Sequence, residues 1–224
     1  MSFWKTLIVA GLALVLGGCA TKAIEAPAPL TGPSLALDAF ETGLSEATVS
    51  VGDVFVYDNP VERREIIAVG DHYVDYNYGP DSYAKETWSP ILPRVRWVSP
   101  LSAGVRTLTK ISGSLHPLAV GNQLSFVAET IRTRPGFTTE NTWSCEVQEQ
   151  VSITVAAGAA DTWQILCTVD GRDRVIVNYA PSIGGLVRMI YAVEGGDRIV
   201  RQLTGYASAA AAAQGNASES SGGE

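Results

Sequence analysis

Between Thr48 and Tyr206 the apolar residues recur at about every second position, in short runs broken by Gly, Pro, Asp and Asn. A period of two places successive side chains on opposite faces of an extended strand, whereas a helix needs a period near 3.6. The runs are Val49–Val56 around Gly52-Asp53, Arg63–Val69 and His72–Tyr78 around Gly70-Asp71, then Tyr83–Trp88, Arg94–Val98 and Val105–Ile111 between Pro90, Pro93 and Pro100. Gln123–Arg132, Thr139–Val155, Trp163–Val169, Arg174–Tyr179, Leu186–Val193 and Arg198–Tyr206 follow. The pattern predicts an all-β chain: an antiparallel meander of about ten strands, curled into a curved half-barrel or folded as a β-sandwich. Residues 35–206 are long enough for one such domain. Leu37, Phe40 and Leu44, after Pro33-Ser34, have helical spacing and predict a short N-terminal helix at its start.

The ends have a different character. Lys5, the apolar stretch Leu7–Leu16 and the run Leu16-Gly17-Gly18-Cys19 have the layout of a bacterial lipoprotein signal peptide. The apolar run is shorter than the roughly 20 residues of a membrane-spanning helix. Residues 1–18 are then a leader. The Cys19 thiol is the lipidation site, and its acyl chains hold the protein to a membrane, each buried methylene contributing about 0.8 kcal/mol. Residues 19–34, rich in Ala and Pro, are expected to be the acylated cysteine and a flexible tether, and residues 207–224 a disordered tail. Ala20 stands where an aspartate favours inner-membrane retention. The expected address is therefore the periplasmic face of the outer membrane, with the inner membrane and the cell surface as the other addresses.

A net charge of −7 over 224 residues, with no run of Lys or Arg, argues against nucleic acid as a partner. With Cys19 lipidated, two cysteines are left, Cys145 and Cys167, in an oxidising compartment where disulfides form. A hairpin turning near Gly158 places Cys145 opposite about residue 171. That is two core positions from Cys167, at a rise of about 3.4 Å per residue, so a bond needs a bulge or bend. Either a Cys145–Cys167 disulfide or two buried free thiols is compatible with this spacing.

Val155-Ala156-Ala157-Gly158, followed by Asp161-Thr162-Trp163-Gln164-Ile165, resembles the V-P-A-G-x-F-x-x-x-x-I hairpin of a proteobacterial envelope family of unknown function and its TapB-like relatives. Tyr179-Ala180-Pro181-Ser182-Ile183-Gly184-Gly185-Leu186-Val187-Arg188 is similar to that family's Y-x-P-x-x-G-x-V-R segment. The likeness covers residues 143–206. Ala156 replaces a frequent proline and Ala160 an aromatic. The resemblance implies a curved antiparallel sheet and no particular reaction.

Candidate chemistry is sparse. His72 and His116 have no ligand-spaced partner, and no nucleophile elbow, zinc motif, phosphate loop or dinucleotide fingerprint is present. The sequence therefore predicts no catalytic residue, no metal and no cofactor. Asp170-Gly171-Arg172-Asp173-Arg174 reads as a solvated hairpin tip, and Asp58-Asn59 with Glu62 lacks the spacing of a known calcium loop. The aromatic stretch is the one candidate binding feature. Tyr76, Tyr78, Trp88 and Trp97 either line a ligand groove or fill the concave side of a curved sheet. The function expected is a non-catalytic, outer-membrane-anchored binding module with an envelope-protein or cell-wall partner. The alternative is a half-barrel carrier of a lipid or other small hydrophobic ligand, and a third class is an envelope hydrolase.

Overall fold

The computed structural model describes residues 49–87, 89–192, 196 and 198–209, without the side chains of 173 and 174. The leader, Cys19, the tether, the helix expected within 35–46, Trp88 and the tail beyond Ala209 lie outside the described residues. The rest is all-β and antiparallel, but it is neither a half-barrel nor a sandwich. Twelve strands close into one barrel. In order they are β1 (Val54–Tyr57), β2 (Glu62–Val69), β3 (Tyr73–Gly79), β4 (Ser82–Thr87), β5 (Arg96–Val98), β6 (Ala103–Gly113), β7 (Gln123–Arg134), β8 (Gly136–Val155), β9 (Gly158–Val169), β10 (Arg172–Ala180), β11 (Gly185–Ala192) and β12 (Arg198–Ala207).

The expectation of about ten strands in an open sheet fails because of one long-range pairing. Each strand pairs with its neighbours in sequence, and β1 also pairs with β12, Val54 opposite Ala207 and Phe55 opposite Tyr206. Local patterning reveals hairpins but not a closure spanning the whole domain. Closure also satisfies the backbone groups that an edge strand leaves open. Asp53 fastens the seam: its carboxylate accepts hydrogen bonds from the amides of Ser50 and Ala209, at 2.8 and 2.9 Å. The Val49–Val56 run therefore splits, with a turn at Val51-Gly52 and a strand only from Val54.

Because the strands run alternately up and down, the connections β2–β3, β4–β5, β6–β7, β8–β9 and β10–β11 gather at one rim. The start of β1 and the end of β12 lie at that same rim. The remaining turns lie at the far rim.

Alternation packs the inside. Ile66, Val74, Phe126, Val147 and Ile165 are all but fully buried, and each such side chain contributes about 1.5–3 kcal/mol relative to exposure. The segment between β4 and β5 does not simply cross the rim. Ile91 and Leu92 join the core cluster, so Pro90–Pro93 dips into the lumen. Gly185 opens β11 after a 3₁₀ turn at Pro181–Ile183, and a Cβ there would lie 2.6 Å from Phe55 Cε1. This close approach gives the glycine of the Tyr179–Arg188 motif a packing role.

The expected register of the cysteine hairpin is also corrected. Ala156-Ala157 make the reversal, with Val155 opposite Gly158, and the register shifts by one residue between Val147 and Glu149. Both features draw the strands tighter than a turn centred near Gly158 would. Cys145 consequently faces Cys167, not residue 171, and the two are joined in a disulfide with a Cα–Cα distance of 4.0 Å.

Candidate functional site: an arginine-lined cavity in the lumen

A cavity of about 450 Å³ lies inside the barrel, lined by residues from β2 and from every strand between β4 and β12. It reaches toward the far rim, where Ser99 and Ser102 of the β5–β6 turn join the lining, and the dipping segment Pro90–Arg94 forms its floor. One part of the wall is apolar, with Ile91, Leu92, Trp143, Val175, Val177 and Met189. The other part carries five arginines, Arg64, Arg94, Arg106, Arg132 and Arg201, with one carboxylate, Glu86.

The arginines form two groups. In the first, Glu62 and Glu86 pair with Arg64, Arg94 and Arg201, two negative charges shared among three positive ones. Glu62 Oε1 lies 2.6 Å from Arg64 Nε, 2.7 Å from Arg201 Nη2 and 3.5 Å from Arg94 Nη2. Glu86 Oε1 lies 3.1 Å from Arg94 Nε and 3.8 Å from Arg64 Nη1, and accepts a 2.8 Å hydrogen bond from Tyr78 Oη. Aromatic faces complete the packing: Arg64 and Arg201 lie 4.8 and 4.9 Å from the centre of Tyr57, and Arg94 lies 4.4 Å from that of Tyr78. Burial works to raise the Glu62 pKa, but Arg64, Arg94 and Arg201 outweigh it and hold the carboxyl below its ordinary value. Burial, with smaller effects of the surrounding charges, pushes the Tyr57 phenol up to about 12.

The second group is Arg106 and Arg132, on neighbouring strands. No carboxylate lies within ion-pair distance of either among the described residues. Both guanidiniums flank one indole, 5.4 and 5.7 Å from the centre of Trp97. Gly104 makes this possible. It sits between Trp97 and Arg132 in the cross-strand row, and a Cβ on it would meet Trp97 Cζ2 at 2.6 Å. The indole lies flat across β6 for that reason, and its Nε1 donates to Ser102 Oγ at 3.0 Å. Arg106 donates to Thr130 Oγ1 and to the Arg94 carbonyl, each at 2.9 Å. Arg132 Nε is buried without a partner. Burial, then the charges of Arg132 and Arg94, push the Arg106 guanidinium down to about 10, so it is still charged at neutral pH. Desolvated donors with unneutralised charge, facing a cavity, are an anion-binding arrangement.

The residues singled out in the sequence fall at different depths. Trp97 lines the cavity. Tyr78 stands behind the lining, bonded to Glu86, and Tyr76 is packed in the core 6.2 Å from Tyr78, centre to centre. Cys167 lines the cavity, and Cys145 lies opposite it. His72 lies in the β2–β3 turn and His116 between β6 and β7, and neither reaches the cavity. Glu62, considered above for calcium, is committed to arginines, while Asp58 accepts from the Gln202 amide at 2.6 Å. Among the described residues no group of three or more His, Cys, Asp or Glu side chains is placed to hold a metal.

Sequence reasoning missed the arginines and Glu86, and considered Glu62 only for calcium. A signal was there for those on strands, each of which shares parity with core positions of its own strand, whereas Arg94 precedes β5 and has no such phase. Arg64 is in phase with Ile66, Glu86 with Ala84, Arg106 with Leu108, Arg132 with Phe126 and Ala128, and Arg201 with Leu203.

No family model matches the chain, and no curated protein matches it. A solved structure to which it is similar is that of the hypothetical lipoprotein YmcC from Escherichia coli (K12). The two share 6% sequence identity, the match covers 76% of this chain and 89% of that one, and the TM-score is 0.47.

Proposed function

We propose that this chain is a non-catalytic envelope lipoprotein, anchored through acyl chains on Cys19 at the periplasmic face of the outer membrane, that binds a ligand in its barrel lumen. The observation that carries the reading is the cavity. Its volume falls in the roughly 300–1,000 Å³ range of small-molecule sites, and its wall combines apolar surface with a few convergent polar groups. The anchor is supported by Leu16-Gly17-Gly18-Cys19 behind a short apolar run. This reading joins the binding module to the carrier: the cavity lies in the lumen as in a carrier, yet five arginines and a glutamate line part of its wall.

Mass spectrometry of the full chain extracted from envelopes tests both parts. Under denaturing conditions the mature chain is expected to begin at Cys19 and to carry acyl mass, and Cys19→Ala to lose both that mass and the membrane fraction. Under native conditions a small ligand is expected to remain bound. A mature terminus elsewhere without acyl mass defeats the anchor, and failure of any amphiphile to bind the lumen defeats the ligand site.

A second reading, an envelope-protein or cell-wall partner, is favoured by one observation. Val105 and Ile131 are cross-strand partners on β6 and β7, and both are exposed.

A further inference from the structure

Five arginines enter one lumen, and two carboxylates answer only three of them. A cationic pair facing a cavity is costly, because Arg106 and the Arg132 Nε are withdrawn from water and the two guanidiniums repel each other. The surroundings provide partial compensation: the face of Trp97, Thr130 Oγ1 and the Arg94 carbonyl. None of these carries negative charge. The missing element is an anion.

We infer that Arg106 and Arg132, given a lumen that binds ligand as proposed above, receive the acidic head of a small anionic amphiphile whose apolar body lies against Ile91, Leu92, Trp143, Val175 and Met189. The head is a carboxylate or phosphate, because a planar guanidinium presents paired N–H donors matched to two oxygens of such a group. Trp97 serves as the positioning residue: its indole holds both guanidiniums on one side of the cavity, and Gly104 leaves it the room to do so. The apolar body follows from one side of the wall, where Ile91, Leu92, Trp143, Val175, Val177 and Met189 offer a polar ligand almost no hydrogen-bonding group.

The test is calorimetric titration of the full chain carrying Cys19→Ala, which lacks acyl chains of its own, after refolding to clear bound ligand. Three probes separate the contributions: decanoate, decanol and inorganic phosphate. Decanoate is expected to bind at least tenfold tighter than decanol, and tighter than phosphate. Arg106→Gln and Arg132→Gln are each expected to weaken decanoate about tenfold or more and to leave decanol unchanged, which also shows that the variants are folded. Equal affinity for decanoate and decanol, or decanoate binding indifferent to both substitutions, overturns the anion site and leaves the lumen as a binding site. Phosphate binding as tightly as decanoate overturns the amphiphile and leaves the anion. If neither amphiphile binds the parent, the proposed ligand-binding lumen is itself wrong.

Discussion

The two arginine groups share one cavity and differ in a single respect. Arg64, Arg94 and Arg201 share two glutamates and two tyrosine rings, whereas Arg106 and Arg132 share one tryptophan and, among the described residues, no acid. In the first, closed group every guanidinium has a carboxylate within 4 Å, although two acids serve three arginines and Arg201 Nε is left without a hydrogen-bond partner, and the cluster ties β2, β4 and β12 together with the segment before β5. The second is open, with no carboxylate beside it among the described residues. Removing a member should therefore have opposite consequences in the two places. A buried ion pair contributes little over an apolar substitute, but breaking one leaves an uncompensated charge at a cost of about 3–5 kcal/mol.

The largest effect is expected at Glu86, whose side chain is only 5% exposed. Glu86→Gln keeps the shape, but leaves Arg64 and Arg94 dependent on Glu62 alone. Chemical denaturation should show a loss of about 3–5 kcal/mol. A loss below ~1 kcal/mol would mean that the closed group is not closed.

The next effect is on pH. Tyr57 in the closed group and Tyr179 elsewhere in the core have phenols raised by burial to about 12, against 10 for a free tyrosine. The folded state favours the neutral phenol, so this contribution is fully present below pH 10. It is lost as the pH rises from 10 through about 12, and amounts to something on the order of 2–3 kcal/mol for each ring. Tyrosinate absorbance and far-ultraviolet circular dichroism should change together in that window. Ionisation of these rings near pH 10 without unfolding would contradict the burial.

The smallest effect is expected at the open group. Arg106→Met removes a charge that burial and Arg132 oppose, at the expense of hydrogen bonds to Thr130 and the Arg94 carbonyl. Its stability should stay within about 1 kcal/mol of the parent, with a melting temperature no lower. A loss as large as that of Glu86→Gln would make the two groups alike and remove the contrast.

The sequence makes the strands legible and hides the closure. Alternation in Gln123–Arg132 and Arg198–Tyr206 follows from side-chain placement on a strand, a local property. The pairing of Val54 with Ala207 joins residues at opposite ends of the domain, and nothing near either one announces it. Trp97 was legible as an aromatic at a strand position. Its task was not, because that depends on Gly104 and Arg132, which reach it only through the register of β5, β6 and β7. The arginines were hidden for a different reason. A basic residue on a strand is ordinarily assigned to solvent, and in-phase placement with Leu108 or Phe126 is what marks it as inward.

The seam between β1 and β12 has a consequence for where the molecule bears load. Since Val54 and Ala207 are partners and Asp53 binds the Ala209 amide, the preceding and following chain attach to the barrel at one place. That place is on the rim opposite the one toward which the arginine-lined cavity reaches. A pull on the backbone at Asp53 or at Ala209 is therefore taken up by the β1–β12 seam at that rim. The cavity, by contrast, reaches toward the Ser99–Ser102 turn at the other rim, so load on the seam and occupancy of the lumen act at opposite ends of the same strands.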